Sequence, residues 1–238
     1  FTDVTNSVGA LVLAGPKARD VLQKLTRTDL SSALFPWLSA KQIDVNLAPT
    51  VAARVNFVGE LGWELHHPIE YQNHIFDALM SAGVEFGLKP FGIRAMDAMR
   101  LEKSYRMVGT EMSIEYAALE SGLDRFVQLQ KPDFIGRSGL LAWQEKGFAN
   151  SFVTLEVKDT TDRDVIGGNP IYKEGKLIGR ATSGGYGFRI GKSLALAMVA
   201  PDCSDIGTSL EIDILGERFA AEIVEESPSD PANERLRA

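Results

Sequence analysis

An α+β domain followed by a small antiparallel β-barrel is the architecture this sequence predicts, on three observations. Apolar runs of strand length alternate with amphipathic helical stretches through the first part of the chain. Beyond residue 150 the pattern becomes a series of short strand-like runs separated by glycine turns. The change of character falls within residues 145–151. A division there gives an α+β part at 1–148, a barrel at 149–226 and a polar tail at 227–238 that is expected to be loosely ordered.

Residues 8–14 form an apolar run of strand length, and Gly15-Pro16 supplies a turn into a helix at 17–25, proline being well placed at a first helical position. Residues 51–57 and 63–66 read as two strands around Gly59-Glu60-Leu61-Gly62, a connection whose glycines suggest a hairpin or tight turn. Ile75, Phe76, Leu79 and Met80 line one face of a helix at 71–82, with Gly83 as its stop, and Pro90 precedes a second helix at 93–105. In the barrel the predicted strands are 151–157, 177–181, 193–199, 209–214 and 218–224. Gly184-Gly185-Tyr186-Gly187 lacks the strand-to-helix setting of a phosphate loop and reads as a turn or bulge.

Several chemistries are poorly supported. A formal net charge of -7 argues against a sequence-independent grip on nucleic acid, which needs a positive surface. A single cysteine, Cys203, builds neither a disulfide nor a thiolate zinc site, and no apolar run approaches the length needed to span a bilayer. His66 and His67 adjoin on a strand and point to opposite faces, so no metal site is expected. No Gly-x-Ser-x-Gly elbow and no Gly-x-Gly-x-x-Gly dinucleotide loop is present.

Glu64 is the more informative residue. Alternation places it on the face opposite Trp63 and Leu65, among neighbours apolar enough to bury it. A carboxylate so placed is matched by a flat heterocycle with two adjacent N–H groups, the edge that reduced pterins and guanines present. A surface or salt-bridged glutamate is the other reading of the same residue. Arg94, Asp97, Arg100, Glu102, Lys103 and Arg106 make a charge-dense helix, either a solvated face or a functional one, and Arg125 pairs with Asp124 or with a carboxylate ligand.

Five segments in this order resemble the aminomethyltransferase (glycine cleavage T-protein) superfamily. They are Leu13-Ala14-Gly15-Pro16-Lys17-Ala18-Arg19, Gly59-Glu60-Leu61-Gly62-Trp63-Glu64-Leu65, the run from Phe91 to Lys103, Asp133-Phe134-Ile135-Gly136-Arg137 and Thr182-Ser183-Gly184-Gly185-Tyr186-Gly187. The wording Leu-Gly-Trp-Glu and Arg-Leu-Glu-Lys-Ser-Tyr-Arg is similar to the dimethylglycine and sarcosine dehydrogenase branch, in the carboxyl-terminal part of those proteins.

The resemblance implies a partial T-protein-like, folate-binding domain at 1–148, its amino-terminal part missing, before the barrel. It implies tetrahydrofolate as cofactor, with Glu64 holding the pterin, Leu65 and His66 lining the same site, and Phe57 standing where relatives usually carry tyrosine. Arg125 falls where relatives have a ligand-contacting aromatic, and Arg94 or Arg125 would meet the glutamate tail of folate. No catalytic residue is expected in this chain: the family's aspartate belongs to an upstream stretch, as does the FAD of a flavin domain covalently continuous with this part. An N-methylated glycine is the implied substrate, in the bacterial cytoplasm or the mitochondrial matrix. A free-standing aminomethyltransferase and a non-catalytic folate-binding protein are the alternatives.

Overall fold

The computed structural model describes residues 1–160 and 162–238, which divide into two compact units: Phe1–Met96 together with Asp230–Ala238, and Asp97–Ser229. The division lies upstream of the change in strand character at 148/149. Segment 97–148 is tied into the second unit, for example through the backbone N–H of Phe152, which donates to the carbonyl of Glu120.

The first unit is built on a four-stranded antiparallel sheet of β1 (Val8–Ala14), β2 (Ala40–Val45), β3 (Ala48–Ala53) and β4 (Gly62–Pro68), in the spatial order β1-β4-β3-β2. Helix α1 (Ala18–Gln23) follows β1, and α2 (Gln72–Gly83) follows β4 after a short 3-10 turn. One face of the sheet is closed: Leu13, Val45, Ala52, Trp63 and Leu65 pack with Leu22 of α1, Ile75 and Leu79 of α2, and Phe35. Period-2 alternation sends Ala10, Val12, Val51, Glu64 and His66 to the other face.

Strand β2 has no counterpart in the sequence reading. Its run Ala-Lys-Gln-Ile-Asp-Val buries only Ile43 and Val45, too thin an apolar signal to separate from loop. Strand β3 begins and ends earlier than 51–57, because Val55 N–H turns back onto the Ala53 carbonyl and Asn56 then captures the N–H of Val58. Phe57 therefore lies in a loop at 54–61.

Helix α3 (Ile93–Leu101) stops short of residue 105, since Ser104 takes a left-handed φ of 54°. In the second unit it is followed by α4 (Arg137–Lys146) and a closed six-stranded barrel of β5 (Ser151–Val157), β6 (Pro170–Lys173), β7 (Lys176–Gly187), β8 (Lys192–Val199), β9 (Ser209–Ile214) and β10 (Glu217–Val224). Around the barrel the order is β10-β5-β8-β7-β6-β9, with β9 pairing β10 to close it. Val153, Leu155, Ala195, Ala197, Ile212 and Ile223 fill the interior. Strand β8 is apolar from Leu194 to Val199 because Leu194 and Leu196 on its outer face are also covered, by Leu101, Phe152 and Ile190.

The glycine cluster at 184–187 is strand, not turn: it lies in β7, just past a bulge between Ala181 and Ser183. Closeness explains the glycines, since a Cβ at Gly187 would come within 3.0 Å of Glu102 Cγ and one at Gly184 would overlap Val165. The short β6 opens on Pro170, which hid it from sequence.

The tail corrects the expectation of loose order. Asp230 caps α5 (Glu234–Arg237), its carboxylate accepting from the N–H groups of Glu234 and Arg235 at 2.9 and 3.1 Å, and Leu236 is 2% exposed within the first unit.

Candidate functional site

Strand β4 sorts the expected site residues by parity. Trp63, Leu65 and His67 face inward, and His67 is fixed there by the Leu65 carbonyl at 3.0 Å and by Gln72 Oε1 at 2.8 Å. Glu64 and His66 face outward, with Nε2 of His66 at 3.3 Å from Oε2 of Glu64. Antiparallel register sets Glu64 between Val12 of β1 and Ala53 of β3, and His66 between Ala10 and Val51. The result is a carboxylate and an imidazole standing on an apolar sheet face.

Glu64 is not buried, its side chain being 35% exposed. Its Oε2 is engaged by His66, whereas Oε1 has no hydrogen-bond partner among the described residues. An open acceptor above an apolar floor suits a flat group with donors along one edge. Beside it, a hollow of about 290 Å³ is lined by Val8, Gln42, Pro49, Val51, His66 and Pro68.

Leu65 does not share this face. It is 0% exposed in the core, so its side chain points away from Glu64, as the pleat requires of the next residue. Phe57 is half-buried on the loop that leads into β4. That loop is shaped by Asn56, whose Oδ1 accepts from Val58 N–H at 2.9 Å and whose Nδ2 donates to the Glu60 carbonyl, and by Gly59 at a left-handed φ of 71°. Arg54 opens the loop fully buried. Burial, and then the neighbouring Arg19, hold its guanidinium below its ordinary pKa.

The two expected arginines belong to different units. Arg94 is exposed on α3, with no hydrogen-bond or ionic partner among the described residues. Arg125 is exposed on a 3-10 turn of the second unit (Asp124–Phe126), 4.7 Å over the Phe126 ring. The pairing of Arg125 with Asp124 is replaced by this ring contact. The charge-dense stretch around α3 is partly buried structure: Arg100 meets Asp97 at 2.6 Å, and Lys103 donates to the Ser229 carbonyl at 3.1 Å.

Residue types alone did not single out Val12 and Ala53, the apolar neighbours on either side of Glu64, because register decides which residues flank it. A larger apolar groove, about 380 Å³, runs along the free edge of β1 and is lined by Leu11, Val12, Phe76, Leu79, Met80 and Phe91. Val12 is the residue it shares with the surroundings of Glu64, and none of Phe57, Glu64, His66, Arg94 and Arg125 lines it. Among the described residues no three of His, Cys, Asp and Glu gather in a way that could hold a metal ion, and no helix is long and apolar enough to cross a membrane.

Comparison with known proteins supplies the context. Residues 1–131 match the family model described as GCVT N-terminal domain, and 150–230 match the glycine cleavage T-protein C-terminal barrel domain. Human mitochondrial dimethylglycine dehydrogenase is 42% identical over 238 residues, covering 99% of this chain and 27% of the relative. An aminomethyltransferase of Desulfitobacterium hafniense is 34% identical over 215 residues, 90% of this chain and 58% of the relative. The chain thus spans between about a quarter and three-fifths of these relatives. The crystal structure of the glycine cleavage system aminomethyltransferase T from Bartonella henselae shares the fold, with a TM-score of 0.83 at 21% identity over 94% of this chain and 60% of that one. With a family model matching more than half its length, and a sheet and closed barrel of the same fold, this chain belongs to the aminomethyltransferase (glycine cleavage T-protein) family.

Proposed function

We propose that this chain is the folate-binding part of a demethylating flavoenzyme of the dimethylglycine and sarcosine dehydrogenase kind. The whole enzyme would pass the one-carbon unit of an N-methylated glycine to tetrahydrofolate, giving 5,10-methylenetetrahydrofolate. One observation carries the reading: Glu64 stands on the apolar outer face of β4 with Oε1 open, inside a chain 42% identical across 99% of its length to dimethylglycine dehydrogenase.

In this reading Glu64 accepts two N–H groups from the pterin edge, Phe57 packs on the ring, and Val12 and Ala53 supply the floor. His66 stands beside Glu64 on the same face, and Leu65 serves by holding β4 in the core. Arg94, exposed in the same unit as Glu64, meets the carboxylates of the glutamate tail. Two nitrogens must bond to one carbon in turn, so this chain's contribution is to orient the acceptor and shield the carbon from water.

The catalytic aspartate and FAD belong, in this proposal, to polypeptide continuous with this chain. The described residues do not fit FAD: the passage from β1 to α1 turns on Gly15-Pro16, without the spacing that cradles a pyrophosphate. The functional division is proposed at 148/149, with 1–148 bearing the folate wall, 149–226 the barrel and 227–238 the tail; the family models at 1–131 and 150–230 support it. The same relatives support a mitochondrial matrix or bacterial cytoplasmic setting.

Calorimetric titration of tetrahydrofolate into wild type and Glu64→Gln tests the reading. A loss of about tenfold or more in affinity is expected for replacing a charged acceptor, and equal affinities overturn it. A free-standing aminomethyltransferase is the second reading, favoured by the 34% identity to the Desulfitobacterium hafniense protein. Adding dimethylglycine to the whole protein separates the two, since only the dehydrogenase consumes it.

A further inference from the structure

We infer that residues 230–238 form a strap clamping the Phe57 loop at both ends, which makes Arg54, Glu60 and Arg235 positioning residues for the site on β4. The inference rests on the folate reading above. Loop 54–61 joins the end of β3 to the start of β4 and carries Phe57 between its two anchor points. At its first residue, Arg54 donates from Nη1 to the Phe35 carbonyl at 2.6 Å and from Nη2 to the carbonyls of Leu236 and Ala238 at 3.4 and 2.7 Å. Near its last, Oε1 of Glu60 accepts from Nη1 of Arg235 at 2.8 Å. One segment, distant by some 175 residues in sequence, therefore holds both ends of the loop.

The strap is itself seated. Leu236 is buried, Arg237 lies 5.2 Å over the Trp37 ring, and Arg19 donates to the Ala238 carbonyl at 2.7 Å. The loop is also braced from within by Asn56, so movement at either anchor would be passed to the Phe57 backbone and not absorbed by slack. Glu60 is 7% exposed although it sits in a turn, and a buried carboxylate there needs the cation that the strap brings. Glu64 follows four residues later on the strand whose start the clamp locates.

Arg235 is half exposed, so Arg235→Ala leaves the core intact and is the variant to use. Hydrogen exchange on the full chain is read at Val58 and Glu60, whose N–H groups face Asn56 Oδ1. Calorimetry with tetrahydrofolate is run on the same samples and on Glu64→Gln. Arg235→Ala is expected to speed loop exchange about tenfold without affecting barrel amides and to weaken tetrahydrofolate about fivefold. Arg235→Lys, which keeps the charge, is expected to restore both to within about twofold of wild type. Unchanged loop exchange in Arg235→Ala overturns the clamp, whatever the binding. Faster exchange with wild-type affinity, while Glu64→Gln still weakens binding, overturns the positioning role alone. Equal affinities of wild type and Glu64→Gln remove the folate reading and the positioning role with it, leaving loop exchange to report on the clamp itself.

Discussion

Arg100 and Glu111, 1% and 0% exposed in their side chains, meet inside the second unit with Nη1 at 3.3 Å from Oε2. Burial by itself would raise the Glu111 carboxyl's pKa. The hydroxyls of Ser183, Thr110 and Thr182, at 2.5–2.6 Å, and the N–H of Met107 outweigh it and hold the carboxyl below its ordinary range.

A depressed folded-state pKa means that this stabilisation is fully present above the unfolded carboxylate value, about 4.3, and is lost as pH falls through the folded value. Glu111→Gln is expected to cost about 3–5 kcal/mol at neutral pH, because among the described residues it leaves buried Arg100 with Asp97 alone for a carboxylate. It should also flatten the acid limb of stability. Urea unfolding from pH 7 to pH 2 measures both, and an equally steep acid limb in the variant would contradict the assignment.

Adjacent residues on β4 should separate stability from binding. Leu65→Ala empties a core position and is expected to cost about 2–5 kcal/mol with tetrahydrofolate affinity nearly kept. His66→Ala, on the outer face, should stay within about 0.5 kcal/mol of wild-type stability. Unfolding curves and titrations on the pair check this, and similar stability losses in both would refute the parity argument.

Phe57 is expected to act as a stacking surface. Phe57→Ala should weaken tetrahydrofolate roughly threefold to tenfold, in line with an aromatic contact worth about 0.5–1.5 kcal/mol, and Phe57→Tyr should bind at least as well as wild type. Comparable affinities for Phe57→Ala and wild type would remove Phe57 from the site.

Gly179 sits in β7 between β6 and β8, where a Cβ would overlap the Met198 carbonyl. Gly179→Ala should force the strands apart and destabilise the barrel by about 1–3 kcal/mol. A calorimetric melting scan gives the shift, and an unchanged midpoint would mean the strands yield freely.

Much of the barrel was legible in sequence because its inward residues recur every second position between glycine turns, as in Val153, Leu155 and Val157. The two strands that escaped had little signal to give: β2 has only two buried positions, and β6 is four residues long behind a proline. Glu64 could be assigned to the face opposite Trp63 from alternation alone. Its exposure could not, since that depends on how much of the sheet face other elements cover.

Local chemistry, carried by neighbours in the chain, was therefore determined by the sequence alone: strand parity on β4, the α+β part and the barrel, and a motif order that marks the family. Tertiary structure decided what distant residues do to one another. Register set Val12 and Ala53 on either side of Glu64, and the polar tail became a seated strap only because Arg54 and Glu60 offer it buried partners. No local pattern encodes such pairings, because their stability arises only when the intervening chain has folded.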